Sequence, residues 1–168
     1  MPTRSFLERI KQRKANKRQR ARDLSRSGFT PEVHIRWGPT GSGKTRFVYD
    51  THDCMDIYTP SILDTNNGCI WFNGYDGHKV ILFHFDRIIE YHILLALIKK
   101  CPARLPIKRA FLEEEEEEIK DGFTRRLARK IYIESYSHPK DWYPGEDFGE
   151  LERRITSITH CVLTPSGP

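Results

Sequence analysis

Apolar positions along the chain fall into short runs of strand length, separated by polar and glycine-rich stretches. Residues 33–37 and 131–134 are two such runs, and each predicts a strand. Residues 80–85 are almost continuously apolar, which is typical of a strand buried on both faces. A further strand is predicted at residues 69–72, followed by a turn over residues 73–77.

Helical patterns alternate with these strands. One helix is predicted to begin near Lys44, a second to cover residues 88–100, and a third to cover residues 148–159 with an apolar side. Strands that alternate with helices predict an α/β fold, in which a parallel sheet is flanked by helices.

Composition excludes several classes of protein. The chain has 168 residues, is 38% hydrophobic and has a mean hydropathy of −0.63. No apolar run approaches the roughly 18–20 residues that span a bilayer, and no hydrophobic segment follows the basic N-terminus, so we expect neither a membrane protein nor a secretory signal. The four cysteines are widely scattered, which predicts reduced thiols in a nuclear or cytosolic protein.

Charge is distributed unevenly along the chain. Residues 1–27 contain ten basic and two acidic side chains, a net charge of +8, whereas residues 28–168 contain 18 basic and 21 acidic ones, a net charge of −3. Such a basic block contacts phosphate backbones or acts as a nuclear-import signal, and a solvated charged helix between domains is the alternative. We predict a basic linker or disordered tail over residues 1–28 and one folded domain over residues 29–168.

The pattern G-x-x-x-x-G-K-[ST] is complete between the first strand and the first helix. In this phosphate loop, glycines let successive backbone N–H groups converge on phosphate oxygens, and the helix N-terminus adds partial positive charge. Lys44 is expected to reach the β and γ phosphates of ATP, and the Thr45 hydroxyl to bind Mg²⁺. The predicted nucleotide-binding residues are Gly38, Pro39, Thr40, Gly41, Ser42, Gly43, Lys44 and Thr45.

A phosphate loop also needs a carboxylate at the end of a neighbouring strand to hold the Mg²⁺ shell. Only the strand at residues 80–85 is predicted to lead into one, at Asp86, which is therefore the candidate metal ligand and the candidate catalytic residue that orients the attacking water. The alternative is that Asp86 caps the helix that follows.

Four segments together resemble a known family. They are WGPTGSGKT at residues 37–45, WFNGYDG at 71–77, IYIESYSHPKDWYP at 131–144 and LERRI at 151–155. In this order they closely resemble the helicase domain of replication-associated proteins of circular single-stranded DNA viruses, of the circovirus and cyclovirus type. The resemblance covers residues 29–161, roughly the whole predicted domain.

The resemblance implies an AAA-like superfamily 3 helicase with the P-loop NTPase fold. Such domains assemble as rings, use ATP and Mg²⁺, and move along single-stranded DNA, with RNA as the other possible strand. Arg153 and Arg154 fall where the family has its arginine finger, which would reach a neighbouring subunit's ATP. The basic tail matches the linker that follows the family's rolling-circle endonuclease, which we expect this chain to lack. The implied location is the nucleus of the host cell, or its cytoplasm.

The sequence departs from the family pattern at three places. His84 and Phe85 occupy the positions of two adjacent acids in the family's second motif, and Tyr136 occupies that of an asparagine in the third. Asp86 lies two residues beyond the first of those acids, about 6–7 Å farther along an extended strand. Six consecutive glutamates at residues 113–118 lie where the family has its DNA-contacting hairpin, and their charge would repel phosphates.

Two hypotheses from different functional classes follow. The first is an ATP-dependent helicase domain, truncated or degenerate, whose hydrolysis is weakened by the altered second and third motifs. The alternative is a catalytically impaired nucleotide-binding protein that acts as a nucleic-acid or oligomer partner. A small-molecule kinase is disfavoured because the chain offers no lid or acceptor-binding motif.

Overall fold

The computed structural model describes residues 30–60, 70–84, 89–99, 103–107 and 123–163, together with single positions in the basic segment. Its strands are β1 Glu32–Trp37, β2 Ile57–Tyr58, β3 Val80–His84, β4 Arg104–Pro106, β5 Phe123–Arg125, β6 Lys130–Ser135 and β7 Ser157–His160. Its helices are α1 Lys44–Thr51, α2 Tyr91–Leu97 and α3 Phe148–Glu152, with short 3-10 helices at Cys54–Asp56 and Pro139–Asp141.

Five strands form one sheet in the order β2-β3-β6-β1-β7, and every neighbouring pair in it is parallel. Of the three inner strands, β3 and β6 are buried along almost their whole length, as their apolar sequences predict. This confirms the predicted parallel α/β sheet. Because the strands are parallel, the carboxyl ends of β1, β3 and β6 lie at the same edge of the sheet.

Helices cover both faces of the sheet. On one face, Val48 of α1 packs in a buried cluster with Leu82 and Tyr132 of the central strands. On the other face, a larger cluster joins alternate residues of β1, β3 and β6 to α2 and α3, through Leu94 and Leu151 among others. The separate strands β4 and β5 pair antiparallel, with Pro106 at the end of β4 beside Phe123 at the start of β5.

Two predicted elements are shorter than expected or missing. Residues 70–72 form no strand, because Phe72 is a buried residue whose backbone N–H donates to the carbonyl oxygen of Pro106 at 2.8 Å instead of pairing along the sheet. Cys69 lies outside the described residues. The helix predicted at residues 88–100 is observed as Tyr91–Leu97, and Ile88 and Lys100 lie outside the described residues.

The helix predicted at residues 148–159 is wrong in its second half. The helix α3 ends at Glu152, and β7 follows as an edge strand beside β1. The backbone N–H of Thr156 donates to the Val33 carbonyl oxygen at 2.7 Å, and the Val33 N–H donates to Thr156 Oγ1 at 2.9 Å. This segment therefore pairs with the edge of β1 that β6 leaves free, and its β-branched side chains favour a strand.

Other sequence predictions meet the structure only in part. The described positions of the basic segment, from Glu8 to Asp23, are helical and exposed, and the boundary at residue 28 stays a prediction. Cys54 is an exposed free thiol and Cys161 a buried one, whereas Cys69 and Cys101 lie outside the described residues, so the prediction of reduced thiols stays a prediction. Among the helices in the described part of the chain, none combines the length and the apolar character needed to cross a membrane.

Candidate functional site

The predicted phosphate loop lies between the end of β1 and the start of α1, where the motif places it. Three of its glycines, Gly38, Gly41 and Gly43, have positive φ angles of 142°, 80° and 78°. Gly38 also passes so close to the backbone after β7 that a Cβ atom there would lie 2.1 Å from the carbonyl oxygen of Cys161. Glycine is therefore required at Gly38 by space as well as by conformation.

The N-terminus of α1 follows directly on this loop, and the first N–H groups of a helix have no partner within the helix. Its cap is Gly43, which offers no side-chain hydrogen bond, and the first turn contains no acidic residue. Lys44 is the first residue of the helix, and its Nζ donates to the carbonyl oxygens of Gly38 and Pro39, both at 2.7 Å. Loop amides, helix end and ammonium group together form a positively polarised concavity suited to an anion.

A cavity of about 410 Å³ opens over the loop at the carboxyl edge of the sheet. It brings predicted nucleotide-binding residues together with side chains from the ends of β3 and β6, and with Tyr136 just beyond β6. Tyr136 is exposed, lies 5.4 Å from Lys44 Nζ measured to the ring centre, and shares a 3.4 Å contact between its hydroxyl and Thr40 Oγ1. The residues that line the cavity are Thr40, Gly41, Gly43, Lys44, Thr45, Arg46, His84, Glu134, Ser135 and Tyr136.

A buried carboxylate lies inside this cavity. Glu134 is only 4% exposed, and its Oε2 accepts a hydrogen bond of 2.7 Å from the Thr45 hydroxyl. The Nδ1 of His84 lies 3.0 Å from the same oxygen. The strand register explains this arrangement, because Glu134 is paired with His84 on β3 and with Arg36 on β1.

The aromatic residue behind Glu134 is electrically neutral. Tyr132 precedes it by two positions on β6 and therefore lies on the same face of the sheet. Burial raises the pKa of the Tyr132 hydroxyl, with the Glu32 carboxylate adding to the effect. The Tyr132 hydroxyl lies 3.0 Å from Nε2 of His52, whose pKa is lowered mainly by burial. Tyr132 and His52 are therefore both neutral near neutral pH.

Sequence reasoning missed Glu134 although the signal was available. The strand predicted at residues 131–134 ends in a carboxylate, just as the strand at residues 80–85 leads into one. The prediction that only residues 80–85 lead into a carboxylate is therefore wrong. Asp86 and Phe85 lie outside the described residues.

The two predicted finger arginines do not line this cavity. Arg153 is exposed at the end of α3, and Arg154 is half-buried there. The guanidinium of Arg154 donates to the carbonyl oxygen of Glu150 at 2.7 Å and to its Oε1 at 3.1 Å. Within one copy of the chain, the structure therefore does not bring these arginines to the phosphate loop.

Comparisons with known proteins point in the same direction as the motifs. No family model matches the chain. It is 30% identical over 138 residues, 81% of its length, to the replication-associated protein of goose circovirus, and 30% identical over 132 residues to that of beak and feather disease virus. It is 28% identical over 130 residues to that of porcine circovirus 1. The chain is homologous to circovirus replication-associated proteins. It spans less than half the length of these relatives, 40% for the goose virus protein.

Proposed function

We propose that this chain is an ATP-binding helicase domain of a viral replication-associated protein, which couples ATP hydrolysis to movement along single-stranded nucleic acid during DNA replication. The observation that carries the proposal is the complete phosphate loop, folded between β1 and α1 with its cavity at the carboxyl edge of the parallel sheet. Ligands of open α/β sheets bind at this edge. The homology to circovirus replication-associated proteins supports the role in replication.

In this proposal the loop amides and the N-terminus of α1 bind the phosphates of ATP. Lys44 exchanges its contacts with the Gly38 and Pro39 carbonyl oxygens for phosphate oxygens. The Thr45 hydroxyl holds the Mg²⁺, and the site fits such a cation because a buried carboxylate already contacts that hydroxyl. When bound, Mg²⁺ neutralises charge on the phosphates during hydrolysis.

Nucleic acid and a second copy of the chain complete the proposal. The basic segment at residues 1–27, with its net charge of +8, would contact the phosphates of single-stranded DNA or RNA. Arg153 and Arg154 lie away from the cavity of their own chain, which suits a finger that acts on a neighbouring subunit in a ring. The proposed place of action is the nucleus of the host cell, or its cytoplasm.

A second candidate function is a nucleotide-binding partner with impaired hydrolysis. It is favoured by His84, which occupies the end of β3 where the resemblance implies an acid, and by Tyr136, which occupies the position of an asparagine. Such a protein would bind Mg·ATP and assemble without efficient turnover. The two candidates differ in hydrolysis but share the nucleotide site.

Calorimetry with Mg·ATP tests the shared site. The parent protein is expected to bind, and Lys44→Ala is expected to abolish measurable binding because the triphosphate loses its main counter-charge. Lys140→Ala, which removes an exposed lysine that does not line the cavity, is the matched control and should bind like the parent. Unchanged affinity in Lys44→Ala would remove the nucleotide-binding proposal.

Hydrolysis separates the two candidates. An ATPase assay with Mg²⁺, run with and without single-stranded DNA, is expected to show weak turnover that DNA stimulates if the domain is a helicase. Binding in calorimetry without any turnover, in either condition, would favour the impaired partner. The Lys44→Ala variant provides the background rate.

A further inference from the structure

The side chain of Glu134 is an unusual feature of the sheet because it places a carboxylate in the interior. It is 4% exposed, and both of its neighbours on β6, Ile133 and Ser135, are buried as well. Its Oε1 is a buried oxygen that has no hydrogen-bond partner among the residues that the structure describes. A carboxylate buried in this way is costly unless positive charge or hydrogen bonds compensate it.

The contacts of the other carboxylate oxygen, Oε2, show which groups could compensate the buried charge of Glu134. Oε2 accepts from the hydroxyl of Thr45, the residue that follows the loop lysine, and it lies 3.0 Å from Nδ1 of His84. A hydroxyl that donates its proton keeps two lone pairs. The Thr45 oxygen is therefore held with its proton toward Glu134 and its lone pairs available to a cation.

The position of Glu134 in the sheet matches that of the missing acid. β6 lies between β1, which leads into the phosphate loop, and β3, where the sequence led us to expect the metal-binding carboxylate. Glu134 is the register partner of His84, so a carboxylate on β6 lies directly beside the β3 position where the resemblance implies an acid. The two positions are adjacent in space although they are 50 residues apart in sequence.

We propose that Glu134 is the positioning residue for the Mg²⁺ of bound Mg·ATP, in place of a carboxylate on β3. Its Oε2 orients the Thr45 hydroxyl toward the cation, and its Oε1 accepts hydrogen bonds from the water that Mg²⁺ retains. This inference rests on the proposed function, since it assumes that the loop binds a nucleotide. It assigns to Glu134 the role for which Asp86 was the sequence candidate.

The test compares the affinity for a non-hydrolysable ATP analogue in Mg²⁺ with that in EDTA. In the parent protein, Mg²⁺ is expected to raise the affinity. In Glu134→Gln, which keeps the shape and removes the charge, this gain should fall by about 10- to 100-fold. The affinity in EDTA should not fall, because the loop and Lys44 are unchanged and the substitution removes a negative charge from the cavity. Glu90→Gln, an exposed glutamate that makes no capping hydrogen bond, is the matched control.

A second variant, Asp86→Asn, tests the same inference without relying on the folding of the Glu134 variant. We expect Asp86→Asn to keep the gain in affinity that Mg²⁺ gives. Loss of the gain in Asp86→Asn, or its retention in a folded Glu134→Gln protein, would assign the cation to another carboxylate and overturn this inference alone. A parent protein that binds no analogue in either condition would overturn the proposed function as well.

Discussion

At the scale of single residues, Gly38 and Gly43 illustrate two different demands on glycine within one loop. Both have positive φ angles, but a Cβ at Gly38 would overlap the Cys161 carbonyl oxygen, whereas a Cβ at Gly43 would meet nothing within 4 Å. The first glycine is therefore required by the approach of the chain after β7, and the second by the backbone conformation alone.

This difference predicts unequal costs of substitution. Gly43→Ala should lower the free energy of unfolding by about 1–2 kcal/mol, the strain of a left-handed alanine. Gly38→Ala should lower it by about 3 kcal/mol or more, since overlap with backbone adds to the strain. Thermal unfolding measures both changes, at roughly 2–4 °C per kcal/mol for a domain of this size. Equal shifts in the two variants would contradict the close approach at Cys161.

Glu134 shows how far sequence reasoning reaches at this scale. Lys44 and Thr45 are predictable because the loop motif encodes their place through fixed spacing along one chain segment. The location of Glu134 depends on which strand lies beside β1. That strand is β6, where Glu134 is the register partner of Arg36 although the two residues are 98 positions apart in the sequence. The contact between Glu134 and Thr45 is therefore a consequence of strand order rather than of local pattern.

At the scale of elements, the edge strand β7 is held to β1 by a side chain as well as by the backbone. Thr156 Oγ1 accepts from the N–H of Val33, a residue whose side chain is fully buried. Thr156→Val keeps the β-branched shape and removes this acceptor. It should lower the free energy of unfolding by about 1–3 kcal/mol, the cost of an unsatisfied donor, as measured by denaturant titration.

Thr159→Val on the same strand is the matched control for this prediction. Thr159 is exposed, and its backbone carbonyl, which the substitution retains, is the group that contacts Cys161 Sγ. Its free energy of unfolding should stay within about 0.5 kcal/mol of the parent value, as for most surface substitutions. A decrease as large in Thr159→Val as in Thr156→Val would mean that the hydroxyl of Thr156 has no special part in attaching β7.

The segment at residues 148–160 shows why the helix predicted there is wrong in its second half. Leu151, Ile155 and Ile158 have helical spacing, and a helix over residues 148–159 follows from that pattern. The spacing is real, since Leu151 is buried and Ile155 and Ile158 pack against the core. The same burial is achieved by a short helix followed by a strand, which in addition satisfies the edge of β1.

At the scale of the whole molecule, the excess positive charge lies in the basic segment at residues 1–27 and not in the predicted folded domain. Deleting residues 1–27 removes a net charge of +8. The logarithm of the affinity for single-stranded DNA should then depend less steeply on the logarithm of salt concentration, by about 0.7 for each phosphate that the segment neutralises. Binding measured over a salt series checks this. If the deletion leaves this slope unchanged, the segment acts as a linker or a localisation signal and does not contact DNA.

Subunit mixing tests the assembly. A variant with Arg153→Ala and Arg154→Ala keeps an intact phosphate loop, and Lys44→Ala keeps the arginines. If the fingers act on a neighbour, mixing the two inactive proteins should restore part of the parent's ATP hydrolysis at shared interfaces, above the sum of the separate rates. Strictly monomeric behaviour in sedimentation, or no recovery from an active parent, would contradict the ring.

The sequence by itself determined the parallel α/β class, the cores of β1, β3 and β6 and the place of the glycine-rich loop between β1 and α1, because these depend on periodicity and spacing within short segments. Tertiary structure alone decided that residues 157–160 become an edge strand and that Glu134 meets Thr45 beneath the loop. The order β2-β3-β6-β1-β7 brings together strands that are far apart in the chain. Side-chain contacts between neighbouring strands depend on this order. The hydrophobic pattern within one short segment does not specify which strands become neighbours.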